Sequence, residues 1–478
     1  MIPWAAFGMD APTLRSLLDD LAAAVGADRV RGPADERTDQ HVSGRGVGTP
    51  LCWVSPIDTA SAAAVVRAAR RAGATVRAVG EATTFWDGLR VDDAVIVDAR
   101  GLTTLVEIDV ERRCALVGAG VTFRDLDRRA RACGLCILSY PDAAGDTSIG
   151  SMLAVGSTAG LGLGHTTPIE QVTGATLVSG NGEVVRVGAS HAVCGRPYLA
   201  HGLPHALGLI ASAEGAGALI TEVGLRLSPT PFTAVANYPA PATLATDPAA
   251  QYALCRTARA ALDAHTLDSL RLELIAEGTS AARGTVLART FSVESDHRAE
   301  ASLATLLGEL GAPRAVVAVE SAASRRGEEP DYGRRYSIPL GEHRARLAGG
   351  AFWGVEVSVS WGAELAPCLS RMLGLFETLG AFSPIVRRLG IYPGHDALSV
   401  GVQIMGQRGD AAIAGLVRHL TEALRPLLDL GVVPYRSGNL WRDELLGFPP
   451  LQSAYFPMAE RLFQALDPQG TFPRRGRR

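Results

Sequence analysis

The sequence predicts an α+β protein built from two large domains. Its 478 residues are too many for one ordinary domain. From about residue 50 to residue 231, patterns typical of helices and strands alternate at short intervals. A proline-rich stretch follows, from Pro229 to Pro248, and beyond it a strand–helix–strand pattern occurs twice. We therefore expect an N-terminal helical extension at 1–44, a first domain at 45–235, a second at 236–430 and a C-terminal segment at 431–478.

The first predicted element is a helix. Asp10 can cap it, leucines follow at helical spacing, and Gly26 can end it. The other elements predicted for the first half are helices at 58–72 and 122–133 and strands at 76–79, 95–98, 115–117 and 220–227. In the second half the predictions are strands at 285–293, 315–319, 352–360 and 398–405, and helices at 297–310, 363–379 and 453–466.

Composition excludes several classes of function. A net charge of −3 gives no dense basic stripe for nucleic acid. All 46 basic residues are arginines, so Schiff-base chemistry and a phosphate-loop lysine are excluded. There is no 18-residue uncharged apolar run, no evident signal peptide and no close histidine–cysteine cluster for a metal. Seven scattered cysteines fit reduced thiols. We expect a cytoplasmic, metal-free protein that binds neither membrane nor nucleic acid.

Three loops of small residues are the candidate binding sites. Backbone amides in such loops can point at one anion, and the absence of bulky side chains lets a flat ligand approach closely. The candidate residues of the first loop are Gly80, Glu81, Ala82, Thr83, Thr84 and Phe85. Those of the second are Pro141, Asp142, Gly145, Ser148, Ile149 and Gly150. Those of the third are Gly217, Leu219, Ile220 and Thr221.

The order of these loops resembles the FAD-linked oxidases typified by vanillyl-alcohol oxidase and p-cresol methylhydroxylase. That family has a pyrophosphate loop, an S-x-x-G segment against the flavin and a G-x-x-G-I-[IV]-T strand entry. Here the corresponding segments are 80–84, 148–150 and 217–221, and the likeness continues in the Tyr435–Arg436 pair and in the Asp-Pro-Gln-Gly turn at 467–470. The resemblance extends over roughly residues 45–475.

The resemblance implies a two-part FAD-binding domain, a substrate (cap) domain with an antiparallel sheet, and a C-terminal segment that returns to the FAD domain. It implies FAD as the cofactor and Asp142 as a carboxylate near flavin N5. By the same likeness Tyr435 and Arg436 would hold a substrate oxygen, and Arg475 would place a cation beside the flavin. His395 is a further catalytic candidate, although a surface or core role fits it equally. Phe85 replaces a phenolate-binding tyrosine of the family, which argues against a para-alkylphenol substrate.

The function expected from the resemblance is hydride transfer from a C–H bond of a small, aromatic or hydroxylated substrate to flavin N5. The alternatives are a 2-hydroxy-acid dehydrogenase of a sister FAD family, and a redox-neutral lyase, cyclase or ligand-binding protein. The sister family carries a metal-binding H-x-G-D-G-N-x-H motif in its second half, which the segment around His395 does not contain. The expected partners are a small-molecule substrate, oxygen or a redox partner as electron acceptor, and a second copy of the chain in a homodimer.

We predict that the flavin is bound noncovalently. The family's attachment position falls near Ala351 and Phe352, and neither side chain can form a bond to the flavin. Acid precipitation of the yellow protein should therefore leave FAD in the supernatant, where its absorbance is measured. Flavin that stays with the pellet would contradict this prediction.

Overall fold

The computed structural model describes residues 9–33, 49–81, 93–137, 139, 141, 147–157, 167–198, 203, 206–230, 232–267, 269–292, 296–309, 316–319, 350–382, 386–407, 411–434, 445 and 447–472. Within these ranges the chain forms sheets of four, five and eight strands and one short two-stranded pairing. No helix in this described part of the chain is long and apolar enough to cross a membrane.

The four-stranded unit has the strand order β1-β2-β4-β3, with β2, β4 and β3 parallel. Its elements are α1 (Ala11–Val25), β1 (Val30–Arg31), β2 (Cys52–Val54), α2 (Thr59–Arg71), β3 (Thr75–Val79) and β4 (Ala94–Asp98). Every residue of β4 is buried, as expected for a central parallel strand covered on both faces.

Both helices of this unit begin where the sequence predicts. The Asp10 side chain caps α1 and Gly26 follows its last turn, so the predicted limits of this helix are confirmed. Asp58 and Ser61 form a reciprocal capping box at the start of α2. Leu14, Leu17 and other apolar residues of the two helices pack into one core with the sheet.

The five-stranded unit is an antiparallel sheet of order β5-β6-β10-β8-β9. Its strands are β5 (Val106–Asp109), β6 (Cys114–Gly118), β8 (Val172–Ser179), β9 (Val184–Val187) and β10 (Ala218–Arg226). Its helices are α3 (Phe123–Ala132), α4 (Ile149–Val155), α5 (Ala189–Cys194) and α6 (Leu207–Ile210), while β7 (Leu135–Cys136) pairs separately with β11 (Ser228–Pro229). Val178 and Leu219 of this sheet lie in the core of the four-stranded unit, so the two units pack together.

The eight-stranded unit is an antiparallel sheet of order β15-β12-β14-β13-β17-β18-β16-β19. Its strands are β12 (Phe232–Pro239), β13 (Ser269–Glu277), β14 (Arg283–Ser292), β15 (Val316–Val319), β16 (Gly350–Ser360), β17 (Val386–Pro393), β18 (Ala397–Gln407) and β19 (Val433–Pro434). Its helices are α7 (Pro248–Asp263), α8 (Asp296–Glu309), α9 (Leu365–Thr378) and α10 (Ala411–Leu428). Alternate strand residues, such as Leu272, Val357 and Val400, form one core with these helices.

The mixed fold with an antiparallel second sheet, predicted from the sequence, is confirmed. The six elements predicted at 285–319 and 352–405 agree with β14, α8, β15, β16, α9 and β18 to within two residues at most ends. The boundary expected at residue 235 falls inside β12, all of which pairs in the eight-stranded sheet.

The C-terminal residues contact the four- and five-stranded units. After helix α11 (Phe456–Leu466), the Asp467 carboxylate accepts hydrogen bonds from the Thr471 N–H (2.9 Å) and the Phe472 N–H (2.8 Å). The Val76 N–H donates to the Thr471 carbonyl (2.7 Å), and Phe472 is buried in the core of the four-stranded unit. A buried carboxylate therefore folds the end of this segment against the edge of the first sheet.

We predict that Asp467→Ala lowers the free energy of unfolding by about 2–4 kcal/mol, because two hydrogen bonds to a charged group are lost. Chemical denaturation followed by tryptophan fluorescence measures the change. The control is Asp429→Ala, which removes an exposed pair with Arg425 and should cost less than about 1 kcal/mol. Equal effects of the two substitutions would contradict the role given to Asp467.

Candidate active site

The end of β3 meets the start of α4 at Gly80. A Cβ added to Gly80 would lie 2.2 Å from the Ser151 Oγ and 2.7 Å from the Ser148 Oγ, so a side chain there would have to displace both hydroxyls. The Ser148 side chain caps α4, and the two serine hydroxyl oxygens lie 2.8 Å apart. The first two candidate loops are thus in direct contact.

The third candidate loop joins this contact through Ala119. The Gly150 N–H donates to the Ala119 carbonyl (2.9 Å), and the Ala119 N–H donates to the Thr221 carbonyl (2.9 Å). A Cβ on Gly150 would lie 2.6 Å from the Ala119 Cβ. We call the meeting point of Gly80, Ser148, Gly150, Ala119 and Thr221 the loop junction. A side chain at Gly80 or Gly150 would meet protein atoms first, so the two glycines are required by packing at the junction.

A buried polar network holds the junction from behind. The Thr59 hydroxyl lies 2.9 Å from the Thr221 Oγ1 and 3.0 Å from the Glu222 Oε1, which links the start of α2 to β10. The Thr176 hydroxyl donates to the Glu222 Oε2 (2.6 Å) and contacts the His191 Nε2 (2.8 Å). Thr176 has one hydroxyl proton, and its contact with the Glu222 Oε2 is the shorter of the two.

Burial lowers the pKa of His191 below its ordinary value, against smaller opposing effects of the Gly195 backbone and the Glu222 carboxylate. The imidazole is therefore neutral at physiological pH. The network thus joins the four- and five-stranded units through hydrogen bonds in which Glu222 is the charged acceptor.

The remaining residues of the third loop are packed inside the protein. Leu219 and Ile220 are buried in different cores, one belonging to each sheet unit. Gly217 has φ +77°, a conformation that favours glycine, and it lies against Phe463 of α11. The Thr221 side chain is 99% buried in the polar network. These residues therefore support the loop junction through their backbone and through packing in the core.

A charged cluster lies beside the first loop. Asp98, at the end of β4, accepts hydrogen bonds from Arg31 (2.9 Å) and from the Arg100 Nε (2.9 Å). The Arg100 guanidinium also lies 3.9 Å from the Glu81 carboxylate. Glu81 is therefore ion-paired at the edge of the loop, where it contributes less repulsion toward an anion than an isolated carboxylate would.

Buried side chains hold the chain that enters the second loop. The Ile137 N–H donates to the Asp127 Oδ1 (3.0 Å), and Asp127 is ion-paired with Arg131 at 2.5 Å. The Ser139 N–H donates to the Gln171 Oε1 (3.2 Å), and the Gln171 Nε2 donates back to the Ser139 carbonyl (2.9 Å). Pro141 follows and is buried.

Several predicted site residues lie outside the described part of the chain. They are Ala82, Thr83, Thr84, Phe85, Asp142, Gly145, Tyr435, Arg436 and Arg475. The structure therefore brings together Gly80, Ser148, Ile149, Gly150 and Thr221, and it places Pro141 at the end of the held stretch.

His395 is at the turn between β17 and β18. Its Nδ1 lies 3.3 Å from the Asp263 carboxylate of α7, and 41% of its side chain is exposed. Trp361 donates its indole N–H to the His395 carbonyl (3.1 Å). These two contacts tie the turn to α7 and to the residue that follows β16.

The other side of the eight-stranded sheet carries a row of charged and glycine residues. Glu273, Gly390, Gly401 and Glu356 are register partners on four adjacent strands, so their side-chain positions face the same way. Neighbouring strands are about 4.8 Å apart, so the backbones of the two glutamates are separated by roughly 14 Å with two glycines between them. We call this side the polar face. Glu356 is a buried residue of this face, 6% exposed.

An ion cluster occupies one end of the polar face. Glu273 is paired with Arg271 and with Arg388, whose Nη2 lies 2.6 Å from the Glu273 Oε1. The Tyr392 hydroxyl accepts hydrogen bonds from both arginines, and Arg271 also stacks over the Tyr392 ring at 4.8 Å. The sequence contained a signal for this cluster, because Arg271 and Glu273 alternate with buried leucines in β13.

Burial alone would raise the pKa of Glu273, but the charges and hydrogen bonds of Arg271 and Arg388 outweigh it and hold the pKa below its ordinary value. The cluster therefore contains two cations and one anion at neutral pH. Leu287, the register partner of Arg271, packs against the core of the five-stranded unit. The polar face is thus turned toward the units that carry the loop junction.

Comparison with known proteins identifies the kind of domain that contains the loop junction. Residues 50–188 match the family described as an FAD binding domain. This part of the chain is an FAD-binding domain. It contains β2 to β9 and includes Gly80, Ser148 and Gly150, so the cofactor expected from the sequence is confirmed as FAD. Noncovalent attachment stays a prediction.

Two curated relatives match part of this chain. D-lactate dehydrogenase from Archaeoglobus fulgidus is 27% identical over 177 residues, which are 37% of this chain and 38% of that protein. An uncharacterized FAD-linked oxidoreductase from Mycobacterium tuberculosis is 25% identical over 198 residues, 41% of each chain. The chain thus spans about two fifths of the length of the curated relatives it matches.

Solved flavoprotein structures resemble nearly the whole chain. 4-Ethylphenol oxidase from Gulosibacter chungangensis superposes with a TM-score of 0.77 at 14% identity and covers 97% of both chains. p-Cresol methylhydroxylase gives a TM-score of 0.73 at 15% identity over 97% of this chain and 96% of the other. The fold expected from the resemblance to this family is therefore confirmed.

The loop junction fits FAD. Its glycines and serines are small where the backbone segments meet, and Glu81 beside it is paired with Arg100. Gly80, Ser148 and Gly150 lie within the matched residues 50–188 and stay our prediction for the residues that would hold the cofactor.

We predict that Gly150→Ala greatly reduces FAD binding. One methyl group would displace α4 from Ala119 and so disturb the junction. The ratio of flavin absorbance to protein absorbance in the purified protein measures occupancy. The control is Gly374→Ala in α9, where an added Cβ meets nothing within 4 Å and occupancy should be unchanged. Full occupancy in Gly150→Ala would show that the junction tolerates the displacement.

Proposed function

We propose that this protein is an FAD-dependent oxidoreductase that moves hydride from a C–H bond of a small substrate to flavin N5. The observation that carries the proposal is a buried, charged polar face turned toward the units that form the FAD-binding domain. Charged groups are buried only at a cost, so a surface of this kind is expected where it serves binding or chemistry. FAD, when bound, supplies the hydride acceptor.

The substrate is proposed to lie against the polar face, beside Gly401 and Glu356. Tyr392 already covers Gly390, and a Cβ on Gly401 would lie 3.3 Å from the Glu356 side chain, so these two side chains line the proposed position. The two arginines of the ion cluster lie next to Tyr392. Charges of both signs can therefore orient a polar substrate.

The catalytic roles are proposed from the resemblance. Asp142, next to the buried Pro141, would stabilise positive charge on the substrate and accept a proton. Tyr435 and Arg436 would hold a substrate oxygen, and Arg475 would supply a positive charge beside the cofactor. His395 stays a further catalytic candidate, and its Nδ1 lies 3.3 Å from the Asp263 carboxylate.

The 2-hydroxy-acid dehydrogenase is a second candidate function. The observation that favours it is the ion cluster, where two guanidiniums surround one carboxylate, because guanidinium groups bind substrate carboxylates well. One of the relatives is a D-lactate dehydrogenase, although the shared region is only 37% of this chain.

We further propose oxygen or a redox partner as electron acceptor, a homodimer as the assembly and the cytoplasm as the compartment. The seven cysteines, which all lie in the described part of the chain, form no disulfide, as expected for a reducing compartment. Size-exclusion chromatography with light scattering would measure the assembly.

The test is anaerobic mixing of the purified, FAD-loaded protein with phenols, aryl alcohols and 2-hydroxy acids. At least one class should bleach the flavin absorbance. Bleaching by 2-hydroxy acids alone would favour the second candidate function. Spectral perturbation without bleaching by any class would contradict redox catalysis on these substrates and favour a redox-neutral or binding role.

We predict that Arg436→Ala slows reduction by the substrate found in this screen about ten- to a hundredfold while FAD stays bound. A charge-assisted hydrogen bond contributes about 1.5–3 kcal/mol, which corresponds to this range. Arg418→Ala, an exposed arginine of α10, is the control and should reduce at the wild-type rate. A soluble, FAD-loaded Arg436→Ala protein with wild-type kinetics would remove Arg436 from the site.

A further inference from the structure

The stretch that carries Pro141 toward the second loop is held by side chains. Its described residues are Ile137, Ser139 and Pro141, and all three are buried. β7 ends at Cys136, so none of these three lies in a strand. Buried backbone N–H and C=O groups need partners, which outside a sheet come from turns, side chains or water.

Gln171 supplies both partners of Ser139. Its carboxamide accepts the Ser139 N–H at 3.2 Å and donates to the Ser139 carbonyl at 2.9 Å, as a neighbouring strand would. Gln171 is 1% exposed and immediately precedes β8, the strand that pairs with β10. The side chain therefore connects Ser139 to the sheet that also carries Thr221.

We infer that Gln171 is a positioning residue for the FAD site. It fixes the backbone at Ser139 and through it the place of Pro141, two residues further, at the edge of the bound flavin. The inference rests on the proposed function for the place of Pro141 and Asp142 beside the cofactor. Gln171 would then act on the cofactor only through the backbone of the segment that contains Ser139.

Asp127 holds the same stretch two residues earlier. Its carboxylate accepts the Ile137 N–H and is paired with Arg131, and it is completely buried. Ile137 is thus attached to α3 and Ser139 to the start of β8. Asp127 and Gln171 thus attach the chain at two described residues, of which Ser139 is the nearer in sequence to Pro141.

The Ser139 side chain takes no part in this attachment. Its hydroxyl is buried and makes no hydrogen bond to any residue that the structure describes, whereas both backbone groups are paired with Gln171. Backbone positioning by Gln171 therefore makes a distinct prediction: the Gln171 side chain should matter for the cofactor and the Ser139 side chain should not.

The chain offers a matched control in Gln251. This glutamine is also fully buried, and its Nε2 donates to the Leu244 carbonyl at 2.8 Å. It lies in α7 of the eight-stranded unit, outside the FAD-binding domain. Loss of either carboxamide removes a buried hydrogen bond to a backbone carbonyl, but only one of them holds the stretch before Pro141.

The experiment compares Gln171→Leu, Gln251→Leu and Ser139→Ala in the full chain. The melting temperature, the Kd for FAD measured by flavin fluorescence, and the visible absorption spectrum of bound FAD are recorded for each. Both leucine variants should melt at lower temperature than the wild type. Only Gln171→Leu should weaken FAD binding, by tenfold or more, and change the shape of the flavin band. Ser139→Ala should keep the wild-type Kd and spectrum.

Wild-type FAD affinity and spectrum in Gln171→Leu, with a melting temperature lowered as in Gln251→Leu, would overturn the inference. If Gln171→Leu does not fold, Gln171→Asn replaces it, because this change keeps the carboxamide but shortens its reach. The Asn variant must show the same loss of FAD affinity, and wild-type affinity would again overturn the inference. A wild-type protein that binds FAD but is reduced by no substrate overturns the proposed function, while the positioning role of Gln171 is still decided by the binding data.

Discussion

The close approach of backbone segments at the loop junction is the constraint on which the rest of the site depends. β3, α4 and the turn after β6 meet where Gly80 and Gly150 have no side chain, and β10 joins them through the Ala119–Thr221 hydrogen bond. A methyl group at Gly150 would lie 2.6 Å from the Ala119 Cβ and 2.9 Å from its carbonyl oxygen, so α4 would have to move away, and one at Gly80 would displace the Ser148 and Ser151 hydroxyls. The described ends of the three candidate loops are therefore positioned by contact with one another.

The eight-stranded sheet separates two kinds of chemistry by the alternation of its residues. One side packs Leu272, Val357 and Val400 under four helices and supplies the hydrophobic stabilisation of this unit. The other side presents Glu273, Glu356 and the arginines, which burial would destabilise without mutual pairing. The sheet thus serves as the wall of a core and, on its reverse, as a charged surface facing the FAD-binding domain.

Much of the fold could be predicted from the sequence, because local rules were sufficient for it. The caps of α1, the buried strand β4 and the strand–helix–strand patterns of the second half follow from residue type and spacing. β12 was missed because the prolines around it indicated a linker, although Pro239 stands at the end of the strand, where proline is tolerated. The three loops were identified as binding elements, but the reason for their glycines is contact between loops, which no local pattern contains.

The side-chain partners of the site could not be predicted. Ser139 and Gln171 are 32 residues apart in the sequence. The Gln171 side chain bonds to the backbone of Ser139, which lies in no helix or strand. Arg388 and Glu273 are 115 residues apart on adjacent strands, and their pairing depends on the strand order of the whole sheet. Such pairs depend on topology, which a single sequence leaves open.

The hydrogen bond between Val76 and Thr471 has a consequence for the synthesis of the protein. The edge of the first sheet receives this partner from a residue made roughly 400 positions later in the chain. The ribosome adds about 5–20 residues per second, so on the order of tens of seconds pass between the synthesis of β3 and that of Thr471. During that interval the core of the four-stranded unit lacks Phe472, and the nascent FAD-binding domain exposes apolar surface that other chains can contact. A slow step in this protein's maturation is therefore built into the order of its sequence.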